Sequence, residues 1–415
     1  MQQPLAPVYL DSNATTPIDP AVLAAMLPYL TEHFGNPSSA HALGHVAHDA
    51  VDKARAQVAA LIGAQPDEIV FTSGGTEASN MAIRGAAAMS GRRTVVTTNI
   101  EHPATDACCA VLARQGFTIK RLTSSAAGLV DAGEARALID GDTALVTIIH
   151  AQNEIGTLQP VAEIAAIAHD AGALVHVDVA QSVGKVPVDV TTLGADLLSI
   201  AGHKLYAPKG VGVLYLKRGV ALPPLLVGAG QEHGRRPGTE NVPYMVALGE
   251  ACRLAQDALP TAEPRMRGLS ARLLERLIYN VPGLTLVGDR HRRLPNTLNV
   301  LFPGVSGRQL LATCPGVFAS NGSACHADSE EPSAILLALG IAREAALDTV
   351  RLSLGRHTNE SDVDAAAERL AEAWRALSAV RPREGGDPMQ RDLSSLDSRF
   401  RGNERSVDRR VAQDR

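Results

Sequence analysis

The sequence predicts an α/β protein, with a large doubly wound domain on a mainly parallel sheet and a smaller α+β domain after it. Three observations lead there. From about residue 65 to residue 220, short β-rich runs alternate with alanine-rich segments of helical character. Those β-rich runs are apolar throughout rather than at every second position, as strands covered by helices on both faces are. Beyond about residue 260 the alternation stops, and a few strands remain among longer helices.

In chain order the strands read "EIVFTS", "RTVVTTN", "TALVTIIH", "ALVHVDV", "DLLSIA" and "GVGVLYL". Between them lie "TEASNMAIRGAAAMS", "HPATDACCAVLARQG" and "PVAEIAAIAHDAG", and in several a glycine follows the last helical turn and stops it. Strand–helix alternation of this kind gives a doubly wound layer structure. After "GTENVPYMVALGEACRLAQDAL" an amphipathic segment, "EPRMRGLSARLLERLIYNV", leads to "LPNTLNVLFPG", "GVFASNGSAC", "TVRLSLGR" and a last helix, "ESDVDAAAERLAEAWRALSAV". The expected division is a large domain over residues 1–260, its N-terminal segment packing with a small domain over 261–380. Residues 381–415 are polar, highly charged and poor in large apolar side chains, and are expected to be a disordered appendage.

A chain of 415 residues that is 45% hydrophobic and 20% charged has material for two packed cores. Its formal charge of −5 gives no electrostatic reason to expect nucleic acid or an anionic membrane as partner. No run of eighteen apolar residues occurs, and "MQQPLAPVYLD" has neither a charged n-region nor an apolar h-region, so a cytoplasmic location is expected. Of the five cysteines, Cys108 and Cys109 are adjacent and no C-x-x-C occurs. That is neither a disulfide framework nor a zinc site, and the thiols belong to a reducing compartment.

In open α/β sheets ligands bind beyond the carboxyl ends of the strands. The polar residues there form one list: "TSGGTEASN", "NIEHPA", "HAQNEIG", "HVDVAQS" and "SIAGHKLY". Gly74, Gly75 and Thr76 open a helix, where free N–H groups and the helix dipole favour a phosphate; a simple turn is the alternative. Asp178 ends a strand buried on both faces, so it either pairs with a cationic ring nitrogen or caps the next helix. Lys204, beside His203 at the end of another strand, is placed to attack a carbonyl as a free amine, whereas most lysines in turns are simply exposed. Together a phosphate turn, a buried aspartate and a lysine are the three anchors of pyridoxal phosphate.

The sequence resembles the cysteine desulfurases and selenocysteine lyases, class V aminotransferase-like enzymes of fold-type I that depend on pyridoxal 5'-phosphate. The resemblance runs from about residue 8 to residue 380, through "YLDSNATTP", "FGNPSSAH", "FTSGGTEASN", "NEIGTLQP", "DVAQSVGK", "GHKLYAPKG", "RRPGTENV", "SNGSACHAD" and "VRLSLGRHT". It implies a seven-stranded sheet in the large domain and a role for each matched residue. Lys204 matches the Schiff-base lysine, Asp178 the partner of the pyridine nitrogen and Gln181 a contact to the ring hydroxyl. His102 matches the histidine that stacks on the ring and assists proton transfer. Asn153 lies near the ring hydroxyl and substrate, while Gly75, Thr76 and His203 match phosphate binders. Thr239 corresponds to a residue reaching the phosphate in the other subunit's site, which implies a homodimer. Arg351 matches the arginine that holds the substrate carboxylate, with Asn13 assisting. Cys325 matches the nucleophilic cysteine on a loop whose Gly322, Ser323 and Ala324 suggest mobility, and His326 beside it favours a thiolate. One departure stands out: Ala201 replaces a serine that many cysteine desulfurases place before the Gly-His-Lys, removing one phosphate contact.

The implied reaction converts L-cysteine to L-alanine and leaves a persulfide on Cys325. A sulfur-acceptor or cluster-scaffold protein then takes that sulfur, for iron–sulfur clusters or thio-cofactors. The resemblance leaves open a selenocysteine lyase, toward which Ala201, "RPGTEN" and "ACHAD" lean, and a non-catalytic scaffold of the same fold. An aminotransferase or β-lyase that makes no use of Cys325 is a further alternative. The scaffold fits poorly with the joint presence of Lys204, Asp178, His102, Arg351 and Cys325. No metal is called for.

Overall fold

Continuously apolar strands need helices on both sides, and the chain supplies them. A computed structural model describes residues 6–322 and 331–380. The central sheet is formed by β2 (Ile69–Thr72), β3 (Thr94–Thr98), β4 (Thr118–Leu122), β5 (Thr143–Ile149), β6 (Leu174–Asp178), β7 (Leu197–Ala201) and β8 (Gly212–Leu216). Its seven strands run in the order β2-β8-β7-β6-β5-β3-β4. Only β8 is antiparallel to its neighbours. Every residue of β2, β3, β5, β7 and β8 is buried, which is why their sequences show no alternation. The edge strand β4, "TIKRL", has only one paired side and exposes polar residues, so its sequence carries no apolar run. It is the central-sheet strand that the periodicity did not reveal.

One face of the sheet is covered by α2 (Ala42–Ile62) and α6 (Val161–Asp170), the other by α3 (Gly75–Met89) and α4 (Pro103–Arg114). The smaller sheet has the order β12-β10-β9, with β9 Thr285–Val287, β10 Thr297–Leu301 and β12 Thr349–Ser353, all antiparallel. The N-terminal strand β1 (Val8–Tyr9) pairs with β11 (Val317–Phe318), and Val8 and Leu10 join the apolar cluster of that smaller sheet. A single helix, α8 (Val242–Asn280), joins the two cores. Its first part, through Ala255, packs with the large core, and its later part, from Met266, packs with the small one. The change of partner coincides with Pro260 and Pro264, each of which withholds an N–H from the helical ladder.

Among the described residues no helix is long and apolar enough to cross a membrane, and no cluster of three or more His, Cys, Asp or Glu is placed to hold a metal ion. Residues 381–415 lie outside the described residues, as do Ser323, Ala324, Cys325 and His326.

Candidate active site

A cavity of about 200 Å³ opens at the carboxyl ends of the central strands. Five of the six predicted strand ends deliver residues there: Gly75 and Thr76 after β2, His102 after β3, Asn153 after β5, Asp178 at the end of β6 and Gln181 after it, and His203 and Lys204 after β7. Asn13 and Arg351 reach it from the N-terminal segment and from β12.

Local sequence explains how the floor is aimed. After Ala201 ends β7, Gly202–Lys204 forms one 3₁₀ turn. A Cβ on Gly202 would lie 2.9 Å from the Val211 carbonyl oxygen of the neighbouring strand connection, so only glycine lets the turn pack there. The turn lifts His203 and Lys204 out of the sheet. Two residues on, Tyr206 holds a left-handed φ of 66°, pinned where its N–H donates to Thr16 Oγ1 at 2.9 Å and its hydroxyl accepts from the Arg356 N–H.

At the opposite wall Asp178 is buried, and one carboxylate oxygen accepts from the Ala180 N–H at 2.9 Å. His102 caps α4, its Nδ1 accepting from the Ala104 N–H at 3.1 Å. That bond occupies the Nδ1 lone pair, so the neutral ring carries its proton on Nε2. Burial holds the His102 pKa below its ordinary value; Asp178 opposes that effect and Lys204 adds to it. His203 is pulled down to about 4 by burial, then by Lys204, Lys209, His102 and Lys185, and its Nδ1 lies 3.2 Å from Thr15 Oγ1. Both rings are therefore neutral near pH 7 in the cavity as it stands.

Helix α3 begins at Gly75 with no side chain capping it at Gly74, so the N–H groups of its first turn are turned toward any anion in the cavity. A Cβ on Gly75 would lie 3.3 Å from the Ala201 Cβ, which places the Ala201 methyl directly beside this cradle.

Arg351 is buried in the middle of β12. Its Nη2 donates to Asp11 Oδ1 at 2.8 Å and its Nη1 to the Asn153 carbonyl at 3.3 Å, while its Nε is buried without a hydrogen-bond partner. Asn13 lines the cavity, yet its side-chain amide is fully engaged within the protein. It donates to the Asn153 carbonyl (3.2 Å) and Thr297 Oγ1 (2.9 Å), and accepts from Lys185 Nζ (3.1 Å) and Asn296 Nδ2 (3.2 Å). It thus acts by tying the N-terminal segment to both sheets. Thr239 is exposed and does not line the cavity of its own chain.

Sequence reasoning passed over three residues. Asp11 engages the arginine expected to hold substrate. Glu101 is fully buried behind His102, accepting from Thr98 Oγ1 at 2.7 Å and the Ile149 N–H at 3.0 Å, with Oε2 unpartnered. Burial pushes its carboxyl up to about 8, in spite of those two donors. Lys185 donates to both Asn13 and Gln181. Its spacing of four from Gln181 was the available signal, and such spacings are too common to single out a lysine.

The seven-stranded sheet, with a lysine, an aspartate and an uncapped helix N-terminus converging on one cavity, defines a fold-type I pyridoxal-phosphate enzyme scaffold. The aminotransferase class-V family model matches residues 8–366, and the chain belongs to that family. Among curated relatives, the cysteine desulfurase of Nostoc sp. is 45% identical over 378 residues, covering 90% of this chain and 94% of that one. A solved NifS-like protein superposes with a TM-score of 0.83 at 36% identity, covering 90% of this chain and 100% of the other. The structure of SspA in complex with cysteine gives a TM-score of 0.75 at 35% identity, over 84% of this chain and 98% of that one.

Proposed function

We propose that the chain is a pyridoxal-phosphate-dependent cysteine desulfurase. It converts L-cysteine to L-alanine and leaves the sulfur as a persulfide on Cys325, for delivery to an acceptor or cluster-scaffold protein. The observation that carries the reading is the convergence of Lys204, Asp178, His102 and the α3 N-terminus on one cavity with Arg351 at its rim. The residues fit the cofactor. The uncapped first turn of α3, with Thr76 and His203, suits a phosphate, and Asp178, buried with one oxygen engaged, suits a protonated ring nitrogen. Bound there, pyridoxal phosphate supplies the electron sink that makes the substrate's Cα–H acidic and its Cβ–S bond breakable.

The chain's own groups do the rest. Arg351 lines the cavity and takes the substrate carboxylate, for which its Nη2 exchanges the Asp11 carboxylate. Lys204 moves the proton at Cα, and His102 holds a proton on Nε2 facing the cavity. The Cys325 thiolate takes the substrate sulfur as the Cβ–S bond breaks and Cβ gains a proton. Cysteine plus a thiol becomes alanine plus a persulfide, with no outside oxidant or reductant.

The enzyme works as a homodimer in this proposal. Thr239 is exposed outside its own cavity, and α1 (Pro20–Thr31) turns an apolar stripe of Leu23, Leu27 and Leu30 outward, continued by Phe34 at 74% exposure. A second copy is the occupant that gives both features a role. A cytoplasmic location fits the four described cysteines, which are all free and buried.

The test is alanine release from L-cysteine and from L-selenocysteine by wild type and Cys325→Ser. Alanine and protein-bound persulfide from L-cysteine, both lost in Cys325→Ser, are expected. Alanine from selenocysteine alone would overturn the reading in favour of a selenocysteine lyase.

A further inference from the structure

Lys185 follows β6 by seven positions and is half-buried, lining a smaller cavity of about 60 Å³ together with Lys204 and Tyr206. Among the described residues no carboxylate forms an ion pair with it. Its near neighbours in charge are the cations of Lys204 and Arg351, and these, after burial, press it down to about 7. A half-buried cation in cationic company is costly. If the chain needed only two hydrogen bonds here, a neutral amide or hydroxyl would serve.

The partners show what a lysine does that a neutral group does not. Lys185 Nζ donates to Gln181 Oε1 at 3.0 Å and to Asn13 Oδ1 at 3.1 Å. In its charged form Lys185 has no acceptor, and the Gln181 amide then turns its oxygen toward it. Its amino group then faces the other way: one N–H donates to the Asn13 carbonyl at 3.0 Å, and the second remains for the cavity that Gln181 lines. The Asn13 carbonyl, which only accepts, selects the same orientation, so Lys185 and Asn13 hold the amide from its two ends.

We propose that Lys185 is a positioning residue that fixes the donor face of Gln181 toward the cavity, so that an anionic ring oxygen of the cofactor meets an N–H rather than a carbonyl. This rests on the cavity taking pyridoxal phosphate.

The test is a double-mutant cycle on cofactor affinity, using full-length apoenzyme titrated with pyridoxal phosphate and followed by the visible absorbance of the lysine-linked cofactor. Lys185→Met and Gln181→Leu are each expected to weaken binding roughly tenfold, and the double variant by about the same tenfold rather than a hundredfold. Lys185→Arg, which keeps donors and charge, is expected to return affinity to within about threefold of wild type. Losses that multiply in the double variant, or wild-type affinity in Lys185→Met, would overturn the proposal. If Lys185→Met does not fold, Lys185→Gln replaces it in the cycle, with the same non-additivity expected. A wild-type protein that gains no absorbance with pyridoxal phosphate brings down the cofactor reading itself, an outcome distinct from any pattern among the variants.

Discussion

The floor and the rim of the cavity are built differently. The floor residues Lys204, Asp178, His102 and Gly75 follow four strands of one sheet, each within a few residues of a strand end. The rim is gathered from distant stretches: Asp11 and Asn13 from the N-terminal segment, Asn153 after β5 and Arg351 from β12, the last joined to Asp11 across 340 positions. A rule about strand ends places the floor. The same rule reaches Asn153 after β5, but no local rule places Asp11, Asn13 or Arg351. The floor carries the groups proposed to hold the cofactor and move protons, whereas the rim carries Arg351, proposed to hold the substrate carboxylate. Rim function should therefore respond mainly as substrate affinity, and floor function as turnover and cofactor retention.

The largest expected effect lies at the floor. Lys204→Ala should abolish the visible absorbance of bound cofactor and lower alanine formation by roughly a thousandfold or more. Retained absorbance in that variant would mean another group anchors the cofactor. At the rim, Arg351→Gln should raise KM for L-cysteine roughly a hundredfold, with a much smaller change in kcat, because it removes a charge-assisted carboxylate contact. An equal loss in kcat would erase the distinction between the regions.

Smaller effects sharpen it. With its pKa raised from 4.5 to about 8 on folding, Glu101 contributes stability that is full below pH 4.5 and lost as pH rises through about 8. Glu101→Gln should thus gain in melting temperature relative to wild type as pH rises from about 4.5 to 8, then hold that gain. A constant difference across this window would show that Glu101 ionises normally. Ala201→Ser restores a hydroxyl beside Gly75 and should tighten pyridoxal phosphate by roughly fivefold, measured by equilibrium titration. Asp11→Asn, which removes the carboxylate competing for Arg351, should lower KM for L-cysteine by roughly threefold. A raised KM would make Asp11 chiefly an aligner of the arginine.

Most of the large domain was legible because its strands are continuously apolar and its helices carry stop signals. The edge strand β4 was not, since its Lys120 and Arg121 face solvent and pair with Asp140 and Asp106 instead of packing. Asn13 was expected to assist with the substrate carboxylate, and only the fold reveals that four internal hydrogen bonds use its whole amide. Asp11 and Glu101 stood inside motifs already noted, yet a carboxylate's role depends on what approaches it in space.

The sequence by itself determined the doubly wound class, the cavity's position and the identity of its floor residues, because strand, turn and capping preferences act over a few residues. Tertiary structure alone decided which charges share a dry space. It set Asp11 on Arg351, left Glu101 with one oxygen unpartnered, and placed Lys185 behind Gln181. The physical reason is that desolvation and Coulomb energies depend on distances between segments far apart in the chain, which local propensities do not encode.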